Sequence, residues 1–183
     1  MNAQDCLICA LEDAPDSARV FADQLWAAEV APGYEVPGWY FLRVRRHTEL
    51  VTGLNDAELE TLGHRAADLT AAIRAATGAE AVYFMSFGES YRHYHALIAT
   101  RGGDVPPARR GGHIVGLLPD AVDRPAAMRI AAKVRAAYRE GTKTNRNDRA
   151  GRTDAVELLV ERAVIHPAPN DPMGSASPGG STT

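Results

Sequence analysis

The run at 92–101, "RHYHALIATR", constrains this chain more than any other stretch. Its apolar residues suit a buried strand, yet it carries His93 and His95 two positions apart. Successive strand side chains point to opposite faces, so 93, 95 and 97 share one face. A strand from about 93 to 100 therefore presents two imidazoles and then Leu97 on one side of a sheet. Imidazole is the ordinary neutral ligand of a metal and an ordinary base or nucleophile at neutral pH.

Only two cysteines occur, Cys6 and Cys9, spaced C-x-x-C. In a reducing compartment they read either as a redox pair or as half of a zinc site. The redox motif normally follows a strand, for which the residues before Cys6 leave no room. Zinc needs two further ligands, usually histidines. His47, at the end of an expected strand over 39–46 ("WYFLRVRR"), and His93 are the candidates. Cys6, Cys9, His47 and His93 together supply two sulfurs and two nitrogens, a closed tetrahedral set that leaves no open coordination position. Such a zinc is structural. His95, next along the same face, is then free to act as base or nucleophile, with Ser90 in the preceding turn receiving phosphate oxygens.

The remaining segments frame this constellation. Pro37-Gly38 marks a turn before the 39–46 strand. Residues 55–77 read as a long helix: Leu59, Leu62, Ala66, Leu69 and Ile73 recur at steps of three and four. Asn55 and Glu58 suit a capping box, and Gly78 suits the stop. His64 falls off the apolar stripe and is expected in solvent. "AVYFMSF" (81–87) and the histidine strand, joined by a short polar turn, suggest an antiparallel hairpin. The Gly-, Pro- and Arg-rich 101–112 reads as a loop, "HIVGLLP" (113–119) as a short strand, and 125–140 as a second helix with Pro125 in its first turn. Residues 141–153 read as a linker, "DAVELLVERAVI" as helix or strand, and the tail from Pro167 as disordered. The expected class is α+β, a mostly antiparallel sheet with a long helix packed on it. The expected division is a core domain over 1–119, an extension over 120–166 and a tail over 167–183.

The net charge of -3 argues against a general nucleic-acid or membrane-surface binder. No apolar run reaches the roughly 18 residues of a membrane helix. No signal peptide is recognised at the N-terminus, so a cytoplasmic location is expected.

The order Cys6–Cys9, "PGWYFLRVRRH" (37–47), long helix, "AVYFMSF", "SYRHYHALIATR" (90–101) resembles the histidine triad superfamily of nucleotide hydrolases and transferases. The resemblance spans roughly residues 6–101. It implies structural zinc on Cys6, Cys9, His47 and His93 and a nucleotidyl-accepting nucleophile at His95. It further implies a phosphate or leaving-group contact at Ser90 and a homodimer formed through a continued sheet and the long helix. The substrate would be a dinucleoside polyphosphate, a nucleoside phosphoramidate or a related nucleotide, attacked at the α-phosphate. Glu89 and Arg101 join Ser90 as candidate substrate contacts, and Trp39 as a candidate wall of a base pocket. Two positions depart from the superfamily pattern: the third histidine is Leu97, and the glutamine before the serine is Glu89. The alternative that fits these departures is a catalytically silent, zinc-stabilised nucleotide-binding or scaffolding module.

Overall fold

The computed structural model describes residues 6–143. A five-stranded sheet forms its centre: β1 (Arg19–Ala22), β2 (Trp26–Glu29), β3 (Tyr40–Val44), β4 (Ala81–Met85) and β5 (His95–Arg101). The spatial order is β1-β2-β3-β5-β4, and every neighbouring pair is antiparallel. Helix α1 (Asp56–Thr77) crosses from β3 to β4, α2 is the short Leu118–Ala121, and α3 runs over 124–143. The α+β class, the β4–β5 hairpin and the long helix on the sheet all match expectation.

Strand alternation divides the sheet into two faces. On one, Tyr40, Leu42, Val44, Ala96 and Ile98 pack with Leu69, Ala72 and Ile73 of α1 and with Ala127, Ala131, Val134 and Tyr138 of α3. On the other, Phe41, Leu97 and Ala99 pack with Cys6, Ile8 and Leu11 of the N-terminal arm and with Ile114. One face thus rests on helices and the other on irregular chain. The second is the face that carries the candidate site.

The α1 termini follow the local chemistry read from the sequence. The Asn55 side chain accepts the Glu58 N–H at 2.9 Å, and Glu58 accepts the Asn55 N–H at 2.8 Å. Gly78 ends the helix at φ 69°, a left-handed conformation that costs glycine little. The expected stripe holds at Leu62, Ala66, Leu69 and Ile73, all packed in or against the core, and Leu59 is exposed. His64 is exposed, as expected. At Gly38 (φ 87°) a Cβ would stand 2.5 Å from Thr100 Oγ1, so the turn into β3 needs glycine for conformation and for space.

Three local expectations are corrected. The hairpin β1–β2 was not expected at all. Its turn is signalled by Asp23, whose carboxylate accepts the N–H groups of Leu25 and Trp26 at 2.9 and 2.8 Å. All four residues of β2 are buried, including Glu29, so the polar–apolar alternation that betrays a strand is missing. "HIVGLLP" is not a strand. Gly111–Leu117 is a 3-10 helix that plugs the second face with Ile114, with Val115 and Leu117 partly buried against the same cluster. The histidine strand begins at His95, so His93 stands before it rather than in it. The segment 141–153 begins inside α3, and the rest of it, "DAVELLVERAVI" and the tail lie outside the described residues.

Candidate functional site

Two histidines two positions apart serve two adjoining sites. The first gathers Cys6, Cys9, His47 and His93, whose ligand atoms all lie within 4.8 Å of one another. Cys6 and Cys9 come from the arm and its 3-10 turn (Cys9–Asp13), His47 from just past β3, His93 from just before β5. His93 Nδ1 stands 3.5 Å from Cys6 Sγ and 3.3 Å from Cys9 Sγ, and His47 Nδ1 stands 3.3 Å from Cys9 Sγ. Zinc–sulfur bonds of about 2.3 Å and zinc–nitrogen bonds of about 2.0–2.1 Å meeting at a tetrahedral angle separate S from N by about 3.5 Å. The donor set and its spacing therefore fit one tetrahedral ion.

The surroundings prepare these donors. His93 donates Nε2–H to the Val44 carbonyl at 2.7 Å, which leaves Nδ1 as the lone pair aimed at the sulfurs. Burial pushes His93 down to a pKa of about 4, so the ring is neutral. Burial, and then the neighbouring Cys6 thiol, push Cys9 up to about 11. The Cys9 thiol therefore resists ionising unless a cation joins it, the usual condition of a metal site before loading.

Beneath this corner lies an ion-pair network that the sequence reading missed. Arg43 and Glu29 are both fully buried, with Arg43 Nε on Glu29 Oε1 at 2.5 Å. Arg43 NH1 also reaches Glu12 Oε1 at 3.0 Å, and Arg45 holds both Glu12 oxygens at 2.9 and 3.1 Å. Arg45 first, then Arg43, hold the Glu12 carboxyl down near a pKa of about 2, against the opposing effect of burial. Since Glu12 sits in the turn that begins at Cys9, these pairs tie the arm to β3 independently of the metal ligands.

The second site is a cleft of about 370 Å³ lined by His95, Ser90, Glu89, Tyr91, Phe87 and Tyr34 among others. His95 donates Nδ1–H to the His93 carbonyl at 2.6 Å, so the unprotonated Nε2 is left to the cleft. Its ring is stacked obliquely on Phe41, centroids 4.8 Å apart, with Tyr91 at 5.8 Å. Ser86 Oγ–H donates to the His95 carbonyl at 2.8 Å and steadies the backbone. Burial holds His95 below the usual histidine range, with the His93 carbonyl opposing, so the neutral ring is favoured.

Ser90 and Glu89 are exposed on the same cleft as His95. Arg101 is elsewhere: it pairs with Glu80 at 2.8 Å near the β4–β5 edge and does not line the cleft. Trp39 is 2 % exposed inside the second apolar cluster and does not line the cleft either. Its bulk fills core, because the residue after Gly38 enters β3 on the face that the arm covers. Leu97, 4 % exposed, belongs to the same cluster and offers His95 no polar neighbour.

No family model and no curated protein matches the sequence. Solved structures do match its fold. A HIT-like protein of Bartonella henselae involved in cell-cycle regulation superimposes with a TM-score of 0.58 at 15% identity, over 75% of this chain and 99% of that one. A zinc-bound histidine triad family protein of Mycobacterium smegmatis gives 0.58 at 18%, over 78% and 99%. A uridylyltransferase gives 0.54 at 20%, over 75% of this chain and 46% of that one. The chain has the histidine triad fold.

Proposed function

We propose that this protein is a nucleotide hydrolase or nucleotidyltransferase that works through a covalent nucleotidyl-histidine at His95. The observation that carries the reading is the fixed tautomer of His95: Nδ1–H is held by the His93 carbonyl, which leaves Nε2 unprotonated on a side chain that lines the cleft shared with Ser90. The fold shared with the zinc-bound histidine triad protein and with uridylyltransferase supports it.

In the first step the Nε2 lone pair forms a bond to the α-phosphorus, and the bond from that phosphorus to the leaving group breaks, its electron pair departing with the leaving group. Ser90 and backbone N–H groups of the 88–90 turn receive the phosphoryl oxygens. In the second step water, or a phosphate-bearing acceptor, forms the new P–O bond while the N–P bond breaks. The acceptor's proton passes to solvent, and Nε2 recovers its lone pair. Dinucleoside polyphosphates and nucleoside phosphoramidates are the substrate classes.

The metal takes no part in these steps. Cys6, Cys9, His47 and His93 would hold zinc, which when bound cross-links the arm to the sheet and neutralises two thiolates. We further propose a homodimer through the β4 edge, supported by the exposure of Phe84, Phe87 and Leu50 beside it. Light scattering on the purified protein checks its mass in solution. Among the described residues no helix is long and apolar enough to cross a membrane.

A second reading, a silent nucleotide-binding module, is favoured by Leu97, buried where a polar partner of His95 would stand, and by the Glu89 carboxylate on the cleft. One experiment separates the two. The protein is incubated briefly with a panel of nucleotides and its intact mass read after an acid-free quench. A gain of one nucleotidyl group that is absent in His95→Ala establishes the enzyme. Neither adduct nor turnover across the panel leaves the silent module.

A further inference from the structure

Beside the His95 cleft lies a second one, of about 180 Å³, walled by Leu7, Ile8, Leu11, Pro32, Phe41 and Tyr91. Tyr91 lines both clefts, and the Phe41 ring lies against His95, so the two adjoin. The wall is therefore within reach of an organic group attached to a phosphorus at Nε2.

The wall is mostly apolar, and three of its backbone polar groups are already bonded within the chain. The backbone N–H of Ala10 is spent on Cys6 O at 3.1 Å, that of Leu11 on Ile8 O at 3.2 Å, and the Ala31 carbonyl on Tyr34 N–H at 3.0 Å. The carboxylates of Glu29 and Glu35, from the strand and loop next to it, are both buried. Glu29 bonds Arg43 through Oε1, and its other oxygen, which has no partner, is enclosed in the core with the rest of a fully buried residue rather than exposed to an occupant. Glu35 accepts the Gly33 N–H at 2.7 Å and faces Arg124 at 3.5 Å. A vicinal diol or a base edge placed here would leave water without gaining a partner, an uncompensated loss.

The geometry points to a site that takes a phosphorylated compound by the apolar faces of its organic group, without reading sugar hydroxyls or base edges. It rests on the reading that His95 is the reacting end, and it widens the substrate class from nucleotides to aryl phosphate conjugates that carry no sugar. The contrast is chemical. A pocket built to bond a hydroxyl rejects an analogue lacking it by about 10⁴-fold, whereas an apolar pocket discriminates weakly between the two. Stacking on Phe41 and Tyr91 and contact with Leu7, Ile8 and Leu11 favour any flat, apolar body.

Calorimetric titration of the zinc-loaded full chain tests this without any turnover. The probes are adenosine 5′-monophosphate, its 2′,3′-dideoxy analogue, guanosine 5′-monophosphate, 1-naphthyl phosphate and inorganic phosphate. The dideoxy and guanosine compounds are expected to bind within about threefold of adenosine monophosphate. Naphthyl phosphate is expected to bind at least about tenfold more tightly than inorganic phosphate. Leu7→Asn, at an exposed wall position, should weaken naphthyl phosphate several-fold and leave inorganic phosphate unchanged. A preference for the ribose compound over its dideoxy analogue above about tenfold overturns the proposal. So does naphthyl phosphate binding no better than inorganic phosphate, or the absence of binding by every probe. Binding in the expected order with no covalent adduct from any substrate overturns only the nucleotidyl-histidine reading.

Discussion

His93 and His95 stand two residues apart, one just before β5 and one at its start, yet their surroundings give them opposite work. His93 has both ring nitrogens committed, one to the Val44 carbonyl and one toward two sulfurs. His95 has one nitrogen committed and one open to a cleft. Burial lowers both pKa values, so desolvation does not distinguish them. What distinguishes them is the number of unspent lone pairs and what those lone pairs face. A closed corner stores cross-linking, and an open nitrogen beside Ser90 stores reactivity.

The largest break in this comparison comes from emptying the closed corner. Cys6→Ser/Cys9→Ser should release zinc and lower Tm by on the order of 10–15 °C, since a lost metal cross-link removes several kcal/mol and each costs about 2–4 °C at this size. Metal analysis and a thermal melt check it. Loss of metal with an unchanged melt would show that the ion-pair network alone holds the arm.

His95→Ala should do the reverse: about a thousandfold or greater loss of turnover, with Tm within about 2 °C and the zinc content intact. A fall in both activity and metal content would mean that the two sites are one unit.

Next comes Arg43→Met, which strands the buried Glu29 charge. A broken buried pair costs about 3–5 kcal/mol, read as a lower urea midpoint. Adding Glu29→Met should recover much of the loss, because both charges are then gone. If the single variant is as stable as the parent, the network is not what docks the arm.

The smallest effect is expected at Glu12, whose side chain is 37% exposed. Its folded pKa, near 2, lies below the ordinary carboxylate value of 4.5, so the ionised form is the one that folding favours. Its contribution is then fully present above about pH 5 and fades as pH falls from 4.5 toward 2. Glu12→Gln should cost less than about 1 kcal/mol at neutral pH after solvent screening. The gap between variant and parent should close by about pH 2 in a urea series. A gap that persists there would point to packing rather than charge.

Much of the site could be read before the fold was known, because its signals are short-range or additive. Strand alternation placed 93, 95 and 97 on one side, and Leu97 and the 95 ring do share the second face. The Cys6, Cys9, His47 and His93 set was legible from residue type alone, since few side chains bind metals as soft as zinc. The ends of α1 were legible because capping is a contact between neighbours, Asn55 with Glu58 and Gly78 with its own turn.

Other features are long-range, and no window of sequence contains them. Whether Trp39 lines a pocket or fills core depends on the arm packed over β3, some thirty residues away in sequence. β2 was hidden because its polar residue, Glu29, is buried by a partner fourteen positions on. "HIVGLLP" has the composition of a strand but became a 3-10 helix, since the second face needed one apolar plug rather than another ladder. Nor could the sequence tell which nitrogen of each histidine is free; backbone carbonyls at Val44 and His93 settle that. The residue pattern by itself determined which atoms could do chemistry here. The tertiary structure decided which of them are already spent, because a donor or acceptor has only so many bonds to make and the folded chain takes the nearest ones first.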